Sequence, residues 1–284
     1  MENFYRFDNN FSPFNYDSTV SLVELSKDIY LKHNTVAQGK LIKYRFSSKL
    51  LNNERNIWLY TSANFDVTNT ENSNSVLLLQ FDGKKFINKI PVPVILDNLI
   101  HQAKLPPVVA IFVDNPTQYS RTTELPDNAL FAQALAEEIL PWAKQTLKAK
   151  IDANNTVVAG ASFGGLAASS VALRYPEHFG NVLSMSGSYW WSPQGTLPEN
   201  EEHTSNWVAS NDTKPVRFFL SAGLFERSQN GSIGLLETNR HLQTVLKAKG
   251  YDVIYKEFAA GHDDFSWQEG FTEGMLALFG IKMK

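Results

Sequence analysis

Short apolar runs alternate with amphipathic segments along most of this chain. The run VLLLQFDG (76–83) is apolar up to its closing turn signal, and PPVVAIFVD (106–114) is a second apolar run; both are typical of strands buried on both faces of a sheet. Further strands are predicted at 155–162, 180–187 and 216–223, and segments with helical spacing separate them. Strands that alternate with helices predict an α/β fold with a mostly parallel central sheet and helices on both faces.

The amino-terminal part of the chain has a different pattern. Residues 39–48 and 55–62 are rich in aromatic and β-branched residues and are separated by a turn-like sequence, LLNN, which predicts a β-hairpin. The sheet should therefore carry an antiparallel hairpin at its amino-terminal edge. Residues 1–38 are mixed in character, and we interpret them as an arm or small helical lead-in to one α/β domain at 39–284.

The segments between the strands divide into predicted loops and helices. Two long polar stretches, 115–128 and 188–215, are predicted as loops. Residues 129–147 have helical spacing, and Pro141 should kink or restart that helix because proline cannot donate a backbone hydrogen bond. A last helix is predicted at about 266–279.

Composition and charge limit the classes of function. A net charge of −3 lacks the basic face that a general nucleic-acid or membrane binder requires. The chain has no cysteine, which excludes disulfides, thiolate zinc sites and cysteine nucleophiles. No apolar run approaches the length of a membrane-spanning helix. The sequence opens without a basic region followed by an apolar stretch, so we expect a cytoplasmic protein, or a periplasmic one if a leader was removed.

The sequence TVVAGASFGG (156–165) places Ser162 among glycines, after a predicted strand and before an alanine-rich helical segment. In this context the pattern Gly-x-Ser-x-Gly is typical of a nucleophile elbow, a sharp turn that lifts the serine hydroxyl above the carboxyl edge of the sheet. The glycines are required because larger side chains would collide with the neighbouring strand and helix. We predict that Ser162 is a catalytic nucleophile; the alternative is an ordinary serine in a glycine-rich turn.

A serine nucleophile needs a base and an acid, which follow it in the order acid, then histidine, in α/β-hydrolases. His262 lies in the loop after the last predicted strand, which begins at Tyr251, at the sheet edge where ligands bind, and is the predicted base. Glu226, three residues after the glycine that ends the strand at 216–223, is the predicted acid that holds the imidazole tautomer. The alternative acids are Asp212, Asp263 and Asp264.

The same chemistry needs two N–H donors for the negatively charged oxygen of the tetrahedral intermediate. The backbone N–H of Phe163, directly after the predicted nucleophile, is expected to be one donor. The other is expected near Gly83, in the turn that follows the predicted strand at 76–81.

Residues 157–191, VVAGASFGGLAASSVALRYPEHFGNVLSMSGSYWW, resemble the catalytic segment of the enterochelin (enterobactin) esterase family, within the esterase-D-like group of α/β-hydrolases. The similarity extends upstream to LLLQFDG and SRTTELPDNALF, and downstream to GLFER and GHDDFSW. It implies an α/β-hydrolase fold. It also implies a serine esterase that hydrolyses the ester bonds of a trilactone catecholate siderophore through an acyl-serine intermediate, which aids iron release in bacteria.

The resemblance also implies roles for individual residues. Ser162 and His262 match the nucleophile and the base of the family. Glu226 falls where related esterases keep their acid, although some periplasmic members are described as working with a serine–histidine pair.

Three further residues lie in motifs that match the family, and the resemblance implies a substrate-binding role for each. Arg121, in the R-x-x-E-L loop, would contact catecholate or carbonyl oxygens of the substrate; the alternative is an internal salt bridge with Glu124. Trp190 and Trp191 would line the pocket for aromatic rings; the alternative is a core position for at least one of them.

The implied partner is a small-molecule siderophore ester, and the resemblance implies no resident cofactor or metal, because any iron would arrive with the substrate. One alternative function is that of a carboxylesterase acting on other aryl or acyl esters with the same triad. A second alternative is a binding module on a hydrolase scaffold that has lost its chemistry. The presence of the three candidate catalytic residues argues against this second alternative.

Overall fold

The structure, a computed structural model, describes residues 5–6, 20–21, 27–65, 75–226 and 234–281. The strands in these ranges are β1 (Tyr5–Arg6), β2 (Val20–Ser21), β3 (Lys40–Ser48), β4 (Asn53–Thr61), β5 (Val76–Phe81), β6 (Val108–Val113), β7 (Thr156–Ala161), β8 (Asn181–Met185), β9 (Arg217–Gly223) and β10 (Asp252–Phe258). The α-helices in these ranges are α1 (Gly83–Asn88), α2 (Val92–His101), α3 (Gln118–Glu124), α4 (Ala129–Ala134), α5 (Leu140–Leu147), α6 (Phe163–Arg174), α7 (His203–Ser210), α8 (Leu235–Ala248) and α9 (Asp264–Phe279).

One eight-stranded sheet, in the order β10-β9-β8-β7-β5-β6-β4-β3, forms the centre of the described chain. The six strands from β10 to β6 in that order are parallel, whereas β4 pairs antiparallel with both β6 and β3. The predicted α/β fold with a mostly parallel sheet and an antiparallel amino-terminal hairpin at its edge is therefore confirmed.

The order of the strands reverses next to β5, which is where an open α/β sheet has a crevice between its strand ends. From β5 the chain adds β6 on one side, and it then returns to add β7 on the other side. The carboxyl ends of β5 and β7 therefore lie side by side at a point where the direction of strand addition reverses. Ligands bind at such points in open α/β sheets.

The core has one layer on each side of the sheet. Alternate residues of β5 face opposite layers, so Leu77 and Leu79 pack on the side of α4 to α6 and α8, and Leu78 packs on the side of α1, α2 and α9. All six residues of β5 are buried, as are all six of β6. Burying one large aliphatic side chain contributes about 1.5–3 kcal/mol, so these strands hold the crevice in a fixed geometry.

The two long stretches predicted as loops each contain a helix, so those predictions are wrong in part. Helix α3 lies within 115–128 and begins with a capping box in which the Thr117 and Ser120 side chains each accept from the other's backbone N–H. Its sequence, QYSRTTE, has no apolar stripe, so hydrophobic spacing could not indicate it. Helix α7 lies within 188–215.

The helix predicted at 129–147 is interrupted, as expected from its proline. Helix α4 ends at Ala134, a π-helical turn spans Leu135–Ile139, and α5 begins at Leu140 with Pro141 as its second residue. Because proline has no backbone N–H, the regular α-helical hydrogen bond at this position is lost and the chain widens just before it.

Most of the predicted lead-in at 1–38 lies outside the described residues. Within its described part, β1 pairs antiparallel with β2, and Asp28–Tyr30 forms a 3₁₀ turn. The division into an arm at 1–38 and a domain at 39–284 remains a prediction.

A buried ion pair joins the edge hairpin to α3. Arg55 on β4 has no exposed side-chain surface, and both of its terminal nitrogens donate to the carboxylate of Glu124, at 2.8 and 3.1 Å. The amide groups of Asn53 and Asn115 also donate to this carboxylate. The pair therefore fixes where α3 lies relative to the sheet.

We expect Glu124→Ala to lower the free energy of unfolding by about 3–5 kcal/mol, because it leaves the charge of Arg55 buried without a partner. The matched control is Glu54→Ala, which breaks the exposed Arg45–Glu54 pair on the same hairpin, with 61% and 55% of those side chains exposed. The control should cost no more than about 1 kcal/mol. Urea denaturation of both variants measures the difference, and equal losses would contradict the assignment.

Candidate active site

Ser162 lies in a strained turn between β7 and α6. Its backbone angles are φ 58° and ψ −122°, a region that residues other than glycine rarely adopt. A Cβ at Gly160 would lie 2.4 Å from the carbonyl carbon of Gly164, so only glycine allows the strand and helix to approach this closely. Such backbone strain costs roughly 1–3 kcal/mol and persists only where the surroundings enforce it. This geometry is that of a nucleophile elbow.

Backbone hydrogen bonds hold the turn from both sides. The Ser162 N–H donates to the carbonyl of Met185 on β8, and its carbonyl accepts from the N–H of Ser188. The hydroxyl oxygens of Ser162 and Ser188 are 3.2 Å apart, within hydrogen-bonding distance. Ser188 is a neighbour that the sequence motif contained but that no pattern singled out.

His262 and Glu226 form a hydrogen-bonded pair at the same edge of the sheet. Nδ1 of His262 is 2.6 Å from Oε1 of Glu226. An ionised carboxylate can only accept, so a hydrogen bond to ionised Glu226 places a proton on Nδ1. Glu226 has no exposed side-chain surface, and its Oε2 accepts from the N–H of Gly223 at the end of β9, 2.7 Å away. Both carboxylate oxygens are therefore satisfied inside the protein.

Two of the three rival acids, Asp263 and Asp264, have partners elsewhere. Asp263 accepts from the N–H groups of Phe265 and Ser266 and so caps the start of α9. Asp264 forms an ion pair with Lys85 at 2.9 Å. Glu226 is hydrogen-bonded to His262, and its role as the catalytic acid remains a prediction.

An aromatic support that the sequence did not reveal contacts the imidazole. The ring of Trp267 on α9 stands edge to face with the ring of His262, with centroids 4.9 Å apart. Its indole N–H donates to the hydroxyl of Ser186, and the Lys85 ammonium lies 4.5 Å from the ring centroid. The motif GHDDFSW contained Trp267, but only the packing of α9 against the sheet identifies it as a neighbour of the histidine.

The two predicted N–H donors are the first residues of two helices. Phe163 begins α6 and Gly83 begins α1, and the first N–H groups of an α-helix have no partner within that helix. A Cβ at Gly83 would lie 2.8 Å from the carbonyl carbon of Phe112, so glycine is required for this turn to press against β6. Asp82 Oδ2 lies 3.5 Å from the Cβ position of Gly164, which brings the two helix starts side by side. The oxyanion role remains a prediction.

The alternative prediction for Arg121, an ion pair with Glu124, is wrong because Arg121 pairs with a different carboxylate. Arg121 donates to both carboxylate oxygens of Asp82, from Nε at 2.6 Å and Nη2 at 2.9 Å. Glu124 pairs instead with Arg55, as described above. The predicted contact between Arg121 and the substrate stays a prediction.

The two tryptophans of the SYWW motif differ in their surroundings. The ring of Trp190 lies beside that of Phe163, with centroids 5.9 Å apart, and is therefore next to the elbow. Trp191 packs against the core and stands edge to face with His203 on α7. Trp190 is the better placed of the two to face a substrate, and the pocket-lining role of both remains a prediction.

The described residues lack the features of two other classes of site. No group of three or more His, Cys, Asp or Glu among them is placed to hold a metal ion. No helix in the described part of the chain is both long and apolar enough to cross a membrane.

The chain is similar in sequence to known esterases. A family model with the description "Putative esterase" matches residues 48–278. The iron(III) enterobactin esterase of Escherichia coli O6:H1 is 34% identical over 234 residues, which cover 82% of this chain and 56% of that protein. The chain thus spans little more than half the length of this curated relative.

Solved structures agree with the fold. The enterobactin esterase of Shigella flexneri, crystallised in the presence of enterobactin, superposes with a TM-score of 0.74 at 32% identity, covering 84% of this chain and 58% of that one. A ferulic acid esterase from Anaeromyces mucronatus superposes with a TM-score of 0.68 at 15% identity, covering 88% of this chain and 94% of that one, which shows a shared fold alone.

We expect Glu226→Gln to lower kcat for an activated ester by on the order of 10⁴-fold, as the corresponding change does in serine proteases. The amide N–H₂ of the new side chain would face Nδ1 of His262 and would move the imidazole proton to Nε2, which could then no longer act as a base. Hydrolysis of 4-nitrophenyl acetate measures the effect, with Glu273→Gln, in an ion pair with Lys256, as the control. Unchanged kcat for Glu226→Gln would favour a mechanism that uses only serine and histidine.

Proposed function

The chain belongs to this esterase family, and we propose that it is a serine esterase that hydrolyses the ester bonds of an enterobactin-like trilactone siderophore and so aids iron release. The observation that carries the proposal is the buried Glu226–His262 hydrogen bond at the same sheet edge as the strained Ser162. The relatives named enterobactin esterases support the substrate class. The same substrate class leads us to propose a cytoplasmic location, which cell fractionation would test.

In the first half of the proposed reaction, Oγ of Ser162 attacks the carbonyl carbon of an ester bond while Nε2 of His262 takes the hydroxyl proton. The carbonyl π bond opens, and the oxygen carries the negative charge of the tetrahedral intermediate. The backbone N–H groups of Phe163 and Gly83 are proposed to bind this oxygen. The intermediate collapses when the alcohol oxygen leaves with the proton from His262, and the acyl group remains on the serine.

In the second half, water replaces the alcohol. His262 takes a proton from the water, which attacks the acyl carbon, and the intermediate then releases the carboxylic acid and returns the proton to Ser162. Glu226 keeps the same imidazole orientation through both halves and stabilises the imidazolium that forms in each. Its burial makes this interaction stronger than it would be in water.

The aromatic groups near the elbow suit an aryl-bearing substrate. Trp190 lies against Phe163 and offers a flat apolar surface beside the nucleophile. Two nearby cations are already paired, Arg121 with Asp82 and Lys85 with Asp264. Recognition of the catechol rings is therefore proposed to depend more on stacking than on unpaired positive charge.

The test is chromatography of enterobactin, iron-free and ferric in parallel, after incubation with the purified protein. We expect linear trimer, dimer or monomer to appear, and we expect none with Ser162→Ala, because this variant lacks the attacking oxygen. Ser210→Ala, at the exposed end of α7, should hydrolyse as the wild type does and controls for the substitution itself.

The outcomes separate the candidate functions. Intact trilactone together with rapid, Ser162-dependent hydrolysis of simple aryl esters would replace the siderophore by another ester substrate. Equal hydrolysis by the wild type and Ser162→Ala would remove the serine mechanism altogether.

A further inference from the structure

Asp82 has an unusual backbone conformation at the start of the turn between β5 and α1. Its angles are φ 53° and ψ 45°, in the left-handed region. Its carbonyl oxygen accepts from the N–H groups of Lys85 and Phe86 and so begins α1. The conformation of residue 82 therefore sets the direction of the next N–H group, that of Gly83.

The Asp82 side chain forms a bidentate ion pair with Arg121. Two parallel hydrogen bonds from Arg121 on α3 grip the carboxylate, and only 23% of Arg121 and 12% of Asp82 side-chain surface is exposed. Burial is the largest single influence on the pKa of Arg121 and lowers it. The charge of Asp82 and its hydrogen bond with Arg121 together outweigh burial, so the pKa of Arg121 is raised. Bidentate arginine–carboxylate pairs fix orientation as well as distance. We call this pair the Arg121–Asp82 clamp.

The clamp lies between the two candidate donors. One oxygen of Asp82 is 3.5 Å from the Cβ position of Gly164, in the first turn of α6 after Phe163. On the other side, Gly83 packs against the backbone of Phe112. A displacement of the carboxylate would therefore change the position of the Gly83 N–H relative to Phe163.

A second carboxylate braces the same turn. The backbone N–H of Lys84 donates to Asp114, whose pKa is raised chiefly by burial and also by the nearby charge of Asp82. The charge of Arg121 offsets the charge of Asp82 next to this second carboxylate. The guanidinium thus has a structural partner that uses two of its donors.

We propose that Arg121 is a positioning residue: the Arg121–Asp82 clamp holds the left-handed turn that aims the Gly83 N–H at the oxyanion. This inference rests on the proposed serine esterase function. It differs from a direct contact between Arg121 and the substrate, because it makes Asp82 as important as Arg121 and acts on the transition state rather than on substrate binding.

The kinetic test uses 4-nitrophenyl acetate and the variants Arg121→Met, Asp82→Ala and the double variant. Removing one oxyanion donor costs about 10²- to 10³-fold in kcat, so a misdirected donor should cost at least about tenfold, with KM little changed. Both single variants should show similar losses, and the double variant should be no worse than either single one. Asp82→Asn should keep more activity than Asp82→Ala, because asparagine tolerates the left-handed conformation.

A second readout separates the clamp from loss of folding. Phenylboronic acid forms an anionic tetrahedral adduct with a serine nucleophile, so its inhibition constant should rise in Arg121→Met in proportion to the fall in kcat. Melting temperatures of all variants are measured in parallel. The rise in the inhibition constant of phenylboronic acid must be seen at a temperature at which each variant is still folded.

The matched control is Arg174→Met. Arg174 pairs with Asp127, which is also left-handed at φ 43°, with 33% and 10% of these side chains exposed. This pair contacts the end of α6 opposite to Ser162, so kcat and boronate affinity should stay at wild-type values.

Three results would overturn the proposal. Arg121→Met could raise KM while Asp82→Ala does not, as a direct substrate contact requires. The double variant could lose the sum of the free-energy effects on kcat of the two single variants, which would mean that Arg121 and Asp82 act independently. Arg121→Met could also retain full kcat and boronate affinity, which would remove the clamp and leave the proposed function intact, whereas absence of any Ser162-dependent hydrolysis in the wild type would remove both.

Discussion

The close approach of β7 and α6 at Ser162 is the constraint on which the rest of the site depends. A Cβ at Gly160 would lie only 2.4 Å from the carbonyl carbon of Gly164, so the absence of a side chain allows the strand to pack against the helix that follows it. Two hydrogen bonds stabilise the strained serine: its N–H donates to the carbonyl of Met185 on β8, and its carbonyl accepts from the N–H of Ser188. The buried strands on each side supply the rigidity that keeps a conformation costing roughly 1–3 kcal/mol from relaxing.

The second requirement is that a charged group remains buried beside this turn. Glu226 has no exposed side-chain surface, so its charge would be costly without partners. The Gly223 N–H and the His262 imidazole each take one of its oxygens, which stabilises the charge and at the same time fixes the ring. Trp267 adds a contact of a different kind, since its ring limits rotation of the imidazole without competing for its hydrogen bonds. Electrostatics and packing thus orient the histidine together.

The sequence predicted those parts of the molecule that depend on local pattern. The buried strands, the edge hairpin and the elbow follow from runs of apolar residues and from glycine spacing, and the structure contains all three. Helix α3 was missed because its sequence is polar throughout, and its capping box lay outside the hydrophobic pattern. The partner of Arg121 was also missed, because Glu124 is three residues away in sequence whereas Asp82 is brought near only by the order of the strands. Contacts between distant segments, such as Trp267 with His262, carry no local signal.

The two sides of the crevice repeat one arrangement. On each side a parallel strand ends, one residue with positive φ follows, and a helix begins with a candidate N–H donor: Ser162 before Phe163, and Asp82 before Gly83. The amino-terminal ends of α6 and α1 therefore follow two neighbouring strands at the reversal of strand order. Arg121 and Lys85 are both paired with carboxylates, so their charges are offset locally. Fixed backbone dipoles need no reorganisation when charge develops, which is the physical reason for proposing the N–H groups of Phe163 and Gly83 as donors to an oxyanion.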